Sequence, residues 1–331
     1  MTDVEWQVQA GRGCGTAQLR HHERLVVAMD TKQRTLLMRG MGAFAGVLVI
    51  LLVVGTFADY QIAQAIYAPD NPLVVFVSTL GLFPMVYPAC LLLGVLAQRS
   101  LASQKSQIAR IAGAVLCVVL AALFSALITR AILSVRDGFG GLVGAELPTI
   151  ARIGIGCVVG MGLCALGFRA AKANDAKDLA RNVLVVIVVL VVLYVAVEIV
   201  KNIMARPRPR VLFAGYEGIS FSPWYSQTSG TEGLMATFGL EKDAFKSFPS
   251  GHSAQAAAFL AAFYGLSLVY PGLRRKLGIA LAIEVVFALT IMTCRMVLGA
   301  HFLSDVSTGA LVSVVAFLVL MALQARQPRQ P

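Results

Sequence analysis

The chain has 331 residues, 58% of them hydrophobic and only 14% charged, with a mean hydropathy of +0.77 and a net charge of +11. That composition excludes an ordinary soluble globular domain and points to a membrane protein. The positive charge does not imply a nucleic-acid partner, because most Lys and Arg fall in short connections between apolar runs, where they orient a chain in a bilayer.

The first forty residues are polar and hold Arg12, Arg20, Arg24, Lys32, Arg34 and Arg39, unlike a cleavable signal peptide, so 1–40 is expected to be a cytoplasmic tail. Eight apolar segments follow, at 41–58, 73–97, 109–133, 149–168, 182–200, 253–270, 277–297 and 303–323. Each is near the roughly 20 residues that cross about 30 Å of hydrocarbon as a helix. The fifth is rich in Val, as strands are in water. Its length decides for helix, because an uninterrupted run in lipid must satisfy its backbone internally. The expected fold is an all-α polytopic bundle of about eight spans, with 41–171 as amino-terminal membrane helices and 172–325 as the part that carries the chemistry.

Topology follows from the basic residues. The tail, Arg99 with Lys105, the group Arg169, Lys172, Lys177 and Arg181, the "RRK" run at 274–276, and Arg326 with Arg329 lie on alternate connections, whereas "ADYQIAQAIYAPDN" at 58–71 has no Lys or Arg and carries Asp59 and Asp70. Both termini are therefore expected in the cytoplasm of a cell membrane, with connection 201–252 and the turn 295–301 on the outer face. Those two outer connections are basic against the rule. Something other than orientation must hold cations there.

Three clusters supply a reason. "KNIMARPRPR" at 201–210 puts Lys201 and Arg208 seven apart, on one face if the helix continues, although Pro207 and Pro209 predict an end or kink; the plain alternative is cations reaching to headgroups. "PSGH" at 249–252 makes a tight turn into a helix whose free amide groups attract an anion, with Gly251 permitting close approach and the Ser250 hydroxyl adding a donor; the plain alternative is an ordinary serine cap. "CRMVLGAHFLSD" at 294–305 places His301 and Asp305 at i and i+4, where a carboxylate can fix the imidazole tautomer, or simply pair structurally. All three fall on the same expected side of the membrane. Together they make a phosphate site that contains a nucleophile.

These residues resemble the type-2 phosphatidic acid phosphatase superfamily, which includes membrane-bound lipid phosphate phosphatases, bacterial acid phosphatases and vanadium haloperoxidases. Its signature K-x6-R-P, P-S-G-H and S-R-x5-H-x3-D is met by Lys201, Arg208 and Pro209, by Pro249, Ser250, Gly251 and His252, and by Arg295, His301 and Asp305, with Cys294 where the family has Ser. The resemblance covers the chain from about 198 onward. It implies a six-helix phosphatase core, hence two additional helices here.

By the resemblance, Lys201, Arg208, Arg295, Ser250 and the amide of Gly251 hold the phosphoryl oxygens, and His301, oriented by Asp305, forms a phosphohistidine while His252 protonates the leaving oxygen. No metal and no cofactor are implied, since three fixed cations supply the charge. The expected substrate is a phosphorylated lipid in the bilayer, a polyprenyl diphosphate or a glycerolipid phosphate, hydrolysed at the outer leaflet. A phosphotransferase would use the same residues. An anion or lipid transporter is the non-enzymatic alternative, against which stands the lack of an internal repeat.

Among the remaining residues, the scattered cysteines Cys14, Cys90, Cys117, Cys157, Cys164 and Cys294 predict neither a disulfide framework nor a zinc site. The aromatic-rich stretch 211–248 reads as an interface belt, or, through "SPWY" at 222–225, as a lid. Glu198 is expected to pair with Lys201, and Arg152 and Glu284 to serve structure. Oligomeric state is left open.

Overall fold

A computed structural model describes residues 29–135, 138–144, 147–174, 176 and 178–325. The tail up to residue 28, with Cys14 and its arginines, and Lys177, Arg326 and Arg329 lie outside the described residues. Among the described residues the secondary structure is entirely helical: α1 Thr31–Ile66, α2 Pro72–Leu80, α3 Phe83–Leu101, α4 Gln107–Ile132, α5 Phe139–Val143, α6 Thr149–Lys172, α7 Leu179–Met204, α8 Pro209–Phe213, α9 Thr231–Phe238, α10 Gly251–Ala256, α11 Phe259–Val269, α12 Leu277–Val297 and α13 Leu303–Ala325. Eight stretches among the described residues are long and apolar enough to cross a membrane, and they coincide with the eight apolar segments. The chain is an all-α polytopic bundle.

Three spans differ in detail from the sequence reading. α1 has 36 residues where an 18-residue run was apolar, because Asp30 caps it and the polar segment after it keeps a buried stripe through Leu37 and Met41. It also runs past Asp59, which is therefore a buried helical residue and not a residue of the first connection. The second span is broken at Gly81–Leu82, where Pro84, lacking an N–H, obliges the helix to restart as α3. The sixth is broken between α10 and α11, and the freed amide of Leu260 finds its acceptor in Glu284 of α12, a carboxylate with no exposure at all.

The helices pack in two groups. α3, α4 and α6 form a tight trio, and α4 and α6 reach the rest of the protein chiefly through α3. α7, α10, α11, α12 and α13 pack around one another, and the first helix, α1, joins them by lying along α13 and α12. In the trio the contacts are backbone to backbone: a Cβ at Gly94 would collide with the Cys164 carbonyl, and one at Gly167 with the Leu91 carbonyl. Small residues allow that approach, which is how helices associate where water supplies no driving force.

Candidate active site

The site is assembled at one end of the bundle, where α7 stops and α10 and α13 start. α7 ends at Met204 with Ala205 in the left-handed region (φ 45°), and the chain turns before α8 begins at Pro209. Lys201 and Arg208 are therefore not on one continuous helix face. The turn brings them together instead, and both line a cavity of about 810 Å³ with Gly251, His252, Arg295 and His301.

Each side chain has a visible anchor. Lys201 Nζ lies 3.3 Å from Glu198 Oε1 and directly over Gly251, where an added Cβ would sit 2.8 Å from the ammonium. Arg208 is held by Asp243, through Nη2 to Oδ1 at 2.7 Å and Nε to the main-chain carbonyl at 2.8 Å, and by the Ala300 carbonyl. Arg295, buried near the end of α12, donates to the Ser78 hydroxyl of α2 at 3.2 Å. That hydroxyl meets Arg295 from another helix, while its chain neighbour is Cys294, itself buried.

His301 is 1% exposed and its Nδ1 lies 2.6 Å from the Ser247 carbonyl. A carbonyl only accepts, so Nδ1 carries the proton and Nε2 is left with its lone pair. Burial, and then the positive charges of Arg208, Arg295 and Lys201 with His252, hold the imidazole well below the ordinary histidine pKa. The ring is therefore neutral at neutral pH.

Asp305 reaches this ring indirectly. Its Oδ2 is 3.9 Å from Nδ1, beyond hydrogen-bond range, and accepts instead from the Ser247 hydroxyl and from the Phe302 amide at 2.8 Å. Direct i,i+4 pairing does not occur, because His301 precedes α13 by two residues and Ser247 is interposed. Ser250 also departs from its expected place. Fully buried, it caps α10 by accepting from the Ser253 amide and meets the Ser253 hydroxyl at 3.0 Å, while Gly251 and His252 face the cavity in its stead.

Residues 182–329 match the model of the PAP2 superfamily. This segment belongs to that superfamily. No curated protein and no solved structure matched the chain. The PAP2 segment starts within α7, so α1 through α6 precede it, and a PAP2 segment in a bundle of membrane-length helices supports a phosphatase that works in a membrane.

Several residues that the motifs did not indicate pack around the candidate site. Arg206 has no exposed surface, yet is held on every side: Nε donates to the Ser222 carbonyl at 2.7 Å, Nη1 to Ser304 Oγ at 2.9 Å and Asp305 Oδ1 at 2.6 Å, Nη2 to Asp59 Oδ2 at 3.0 Å, and its guanidinium lies 4.2 Å from the Phe302 ring centroid and 5.3 Å from that of Phe221. Asp59 in turn accepts from the Ser304 amide at 2.9 Å and from its hydroxyl. A continuous buried chain thus runs from α1 through Asp59, Arg206, Asp305 and Ser247 to His301. No local signal marked this chain, since Asp59 stands just past the apolar run 41–58 and reads as an acid of the first connection.

The stretch 211–248 folds on its own small core of Val211, Ala244 and Phe245. Its "SPWY" part is tied down away from the cavity, with Trp224 donating to Thr56 of α1 at 3.0 Å and stacked on Phe248, so the lid reading does not hold for it. The loop reaches the cavity through Glu241, Asp243 and Lys246. From the other side, Arg130 of α4 and the buried Arg152 of α6 line the same cavity, and Arg152 also donates to Thr149 at 3.0 Å.

Proposed function

We propose that this protein is an integral-membrane lipid phosphate phosphatase that works through a phosphohistidine on His301. The observation that carries the reading is a single cavity in which a buried, neutral imidazole with Nε2 unprotonated meets Lys201, Arg208, Arg295 and His252. The two guanidinium groups, the ammonium and the Gly251 amide bind the equatorial oxygens of the phosphoryl group and stabilise the charge on the five-coordinate transition state. Nε2 attacks phosphorus, the P–O bond to the lipid breaks, and the proton of His252 goes to the departing oxygen. Water then attacks the phosphohistidine, giving its proton to His252 and releasing phosphate, which restores both histidines.

The substrate is a lipid phosphomonoester or diphosphate held with its chain in the bilayer, reached at the outer leaflet of the cell membrane with both termini cytoplasmic. Supporting this are a cavity at the end of the spans and the alternation of basic connections. The test is phosphate release by the purified full-length protein against phosphatidate and a polyprenyl diphosphate, beside His301→Ala. Loss of the nucleophile should remove activity by at least about 10⁴-fold. A variant that retains substantial turnover would overturn the assignment.

A further inference from the structure

The catalytic cavity has an apolar side that a phosphate group does not need. At about 810 Å³ it has the size of a site for a whole small molecule, and Leu82, Met85, Leu127, Ile128, Leu193 and Val197 are among the residues that line it. A second, wholly apolar crevice begins at the same place. It runs between α3, α4 and α7 and shares Met85, Leu127, Ile128 and Tyr194 with the cavity, so the two adjoin. Val86, Ile187 and Leu190 form its buried floor, whereas Leu127 and Val195 at its rim are 51% and 46% exposed on the flank that spans the membrane.

We propose that this crevice seats the hydrocarbon chain of the phosphorylated substrate, and that α4, which lies outside the PAP2 segment, thereby selects the chain. The proposal rests on the lipid phosphatase reading. Its occupant follows from position: a phosphoryl group held at Lys201, Arg208 and Arg295 must project the rest of its molecule somewhere, and the crevice that shares four lining residues with the cavity leads along apolar side chains to the lipid-facing flank. A chain lying there exchanges lipid contacts for contacts with fixed side chains, so length and unsaturation are felt as packing. The adjacent helix α6 holds α4 in place through the backbone contacts of the trio, and this gives α4 and α6, two of the helices that precede the PAP2 segment, a role in specificity.

The experiment uses the full chain in detergent and two substrates, a long-chain phosphatidate and a water-soluble aryl phosphate. Val195→Trp fills the rim without touching the catalytic cavity, and Val192→Trp, on the exposed face of the same helix outside the crevice, controls for a bulky ring on α7. In Val195→Trp the ratio of kcat/KM for phosphatidate to that for the aryl phosphate should fall about tenfold, equivalent to unburying about two methylenes. In Val192→Trp it should stay at the wild-type value. An unchanged ratio in Val195→Trp, or an equal fall in both variants, would overturn the crevice while leaving the phosphatase reading intact. Wild-type protein inert toward both substrates would overturn the parent reading and this one with it.

Discussion

The α3–α4–α6 trio and the helices around Arg206 show two ways to fasten membrane helices. The trio uses absence: glycines remove side chains so that backbones meet, and Gly94 and Gly167 each face a carbonyl with no room for a methyl group. The region around His301 uses charge. One arginine with no exposed surface ties α1, the loop at Ser222 and the start of α13 by directional bonds. The first kind of joint fixes distance and the second fixes orientation. Catalysis needs orientation, and the charged joint is where His301, the proposed nucleophile, sits.

Removing the arginine should break this difference most severely. Arg206→Met leaves Asp59 and Asp305 as buried carboxylates without their cation, which costs about 3–5 kcal/mol. A large fall in detergent Tm is expected, with a loss of kcat that exceeds any rise in KM, and Arg206→Lys should recover part of both. Wild-type Tm in Arg206→Met would show that the network carries no load.

Disturbing the trio should cost less and read differently. Gly167→Ala forces the Leu91 carbonyl away and should lower stability by about 1–3 kcal/mol. The pH profile of the surviving activity should match the wild type, because no contact of His301 changes. A displaced profile would mean that the two regions are more tightly coupled than their packing indicates.

The smallest effect sharpens the electrostatic side. Burial and four positive neighbours hold His301 well below its ordinary value of 6.5, so the acid limb of kcat/KM should lie well below pH 6.5. Lys201→Gln removes one of those charges and should move the limb upward by less than about one unit, whatever it does to the height of the profile. The same depression links pH to stability. The unfolded chain takes up a proton as pH falls through 6.5 and the folded one does not, so the contribution of neutral His301 is present above 6.5 and is lost as pH falls towards the depressed value. A limb at or above 6.5 in the wild type would contradict the burial and positive surroundings of His301.

The sequence made some of this legible. Apolar length gave the eight spans because backbone satisfaction in lipid leaves no other choice, and motif spacing pointed to Lys201, Arg208, Gly251, His252, Arg295 and His301, which share one cavity. Asp59, Arg206, Asp243 and Ser247 were not legible. Each acts through a partner distant in sequence, and nothing local distinguishes Asp59 from an acid in a connection. Ser250 is ambiguous for the opposite reason, since a local cap and a phosphate contact draw on the same hydroxyl, and here that hydroxyl caps α10. The crevice could not be read at all, because it exists only between three helices.

Asp59 carries a consequence for how the protein is made. Synthesis delivers it in the earliest helix, whereas Arg206 follows only in the turn after α7, and Ser304 and Asp305 in the final span. Until then a carboxyl group within the first span has none of these partners, at a cost that a bilayer does not readily absorb. The opening helix therefore reaches its final seat only when the closing one arrives, and a truncated chain ending before α13 should be handed to quality control instead of accumulating half-built.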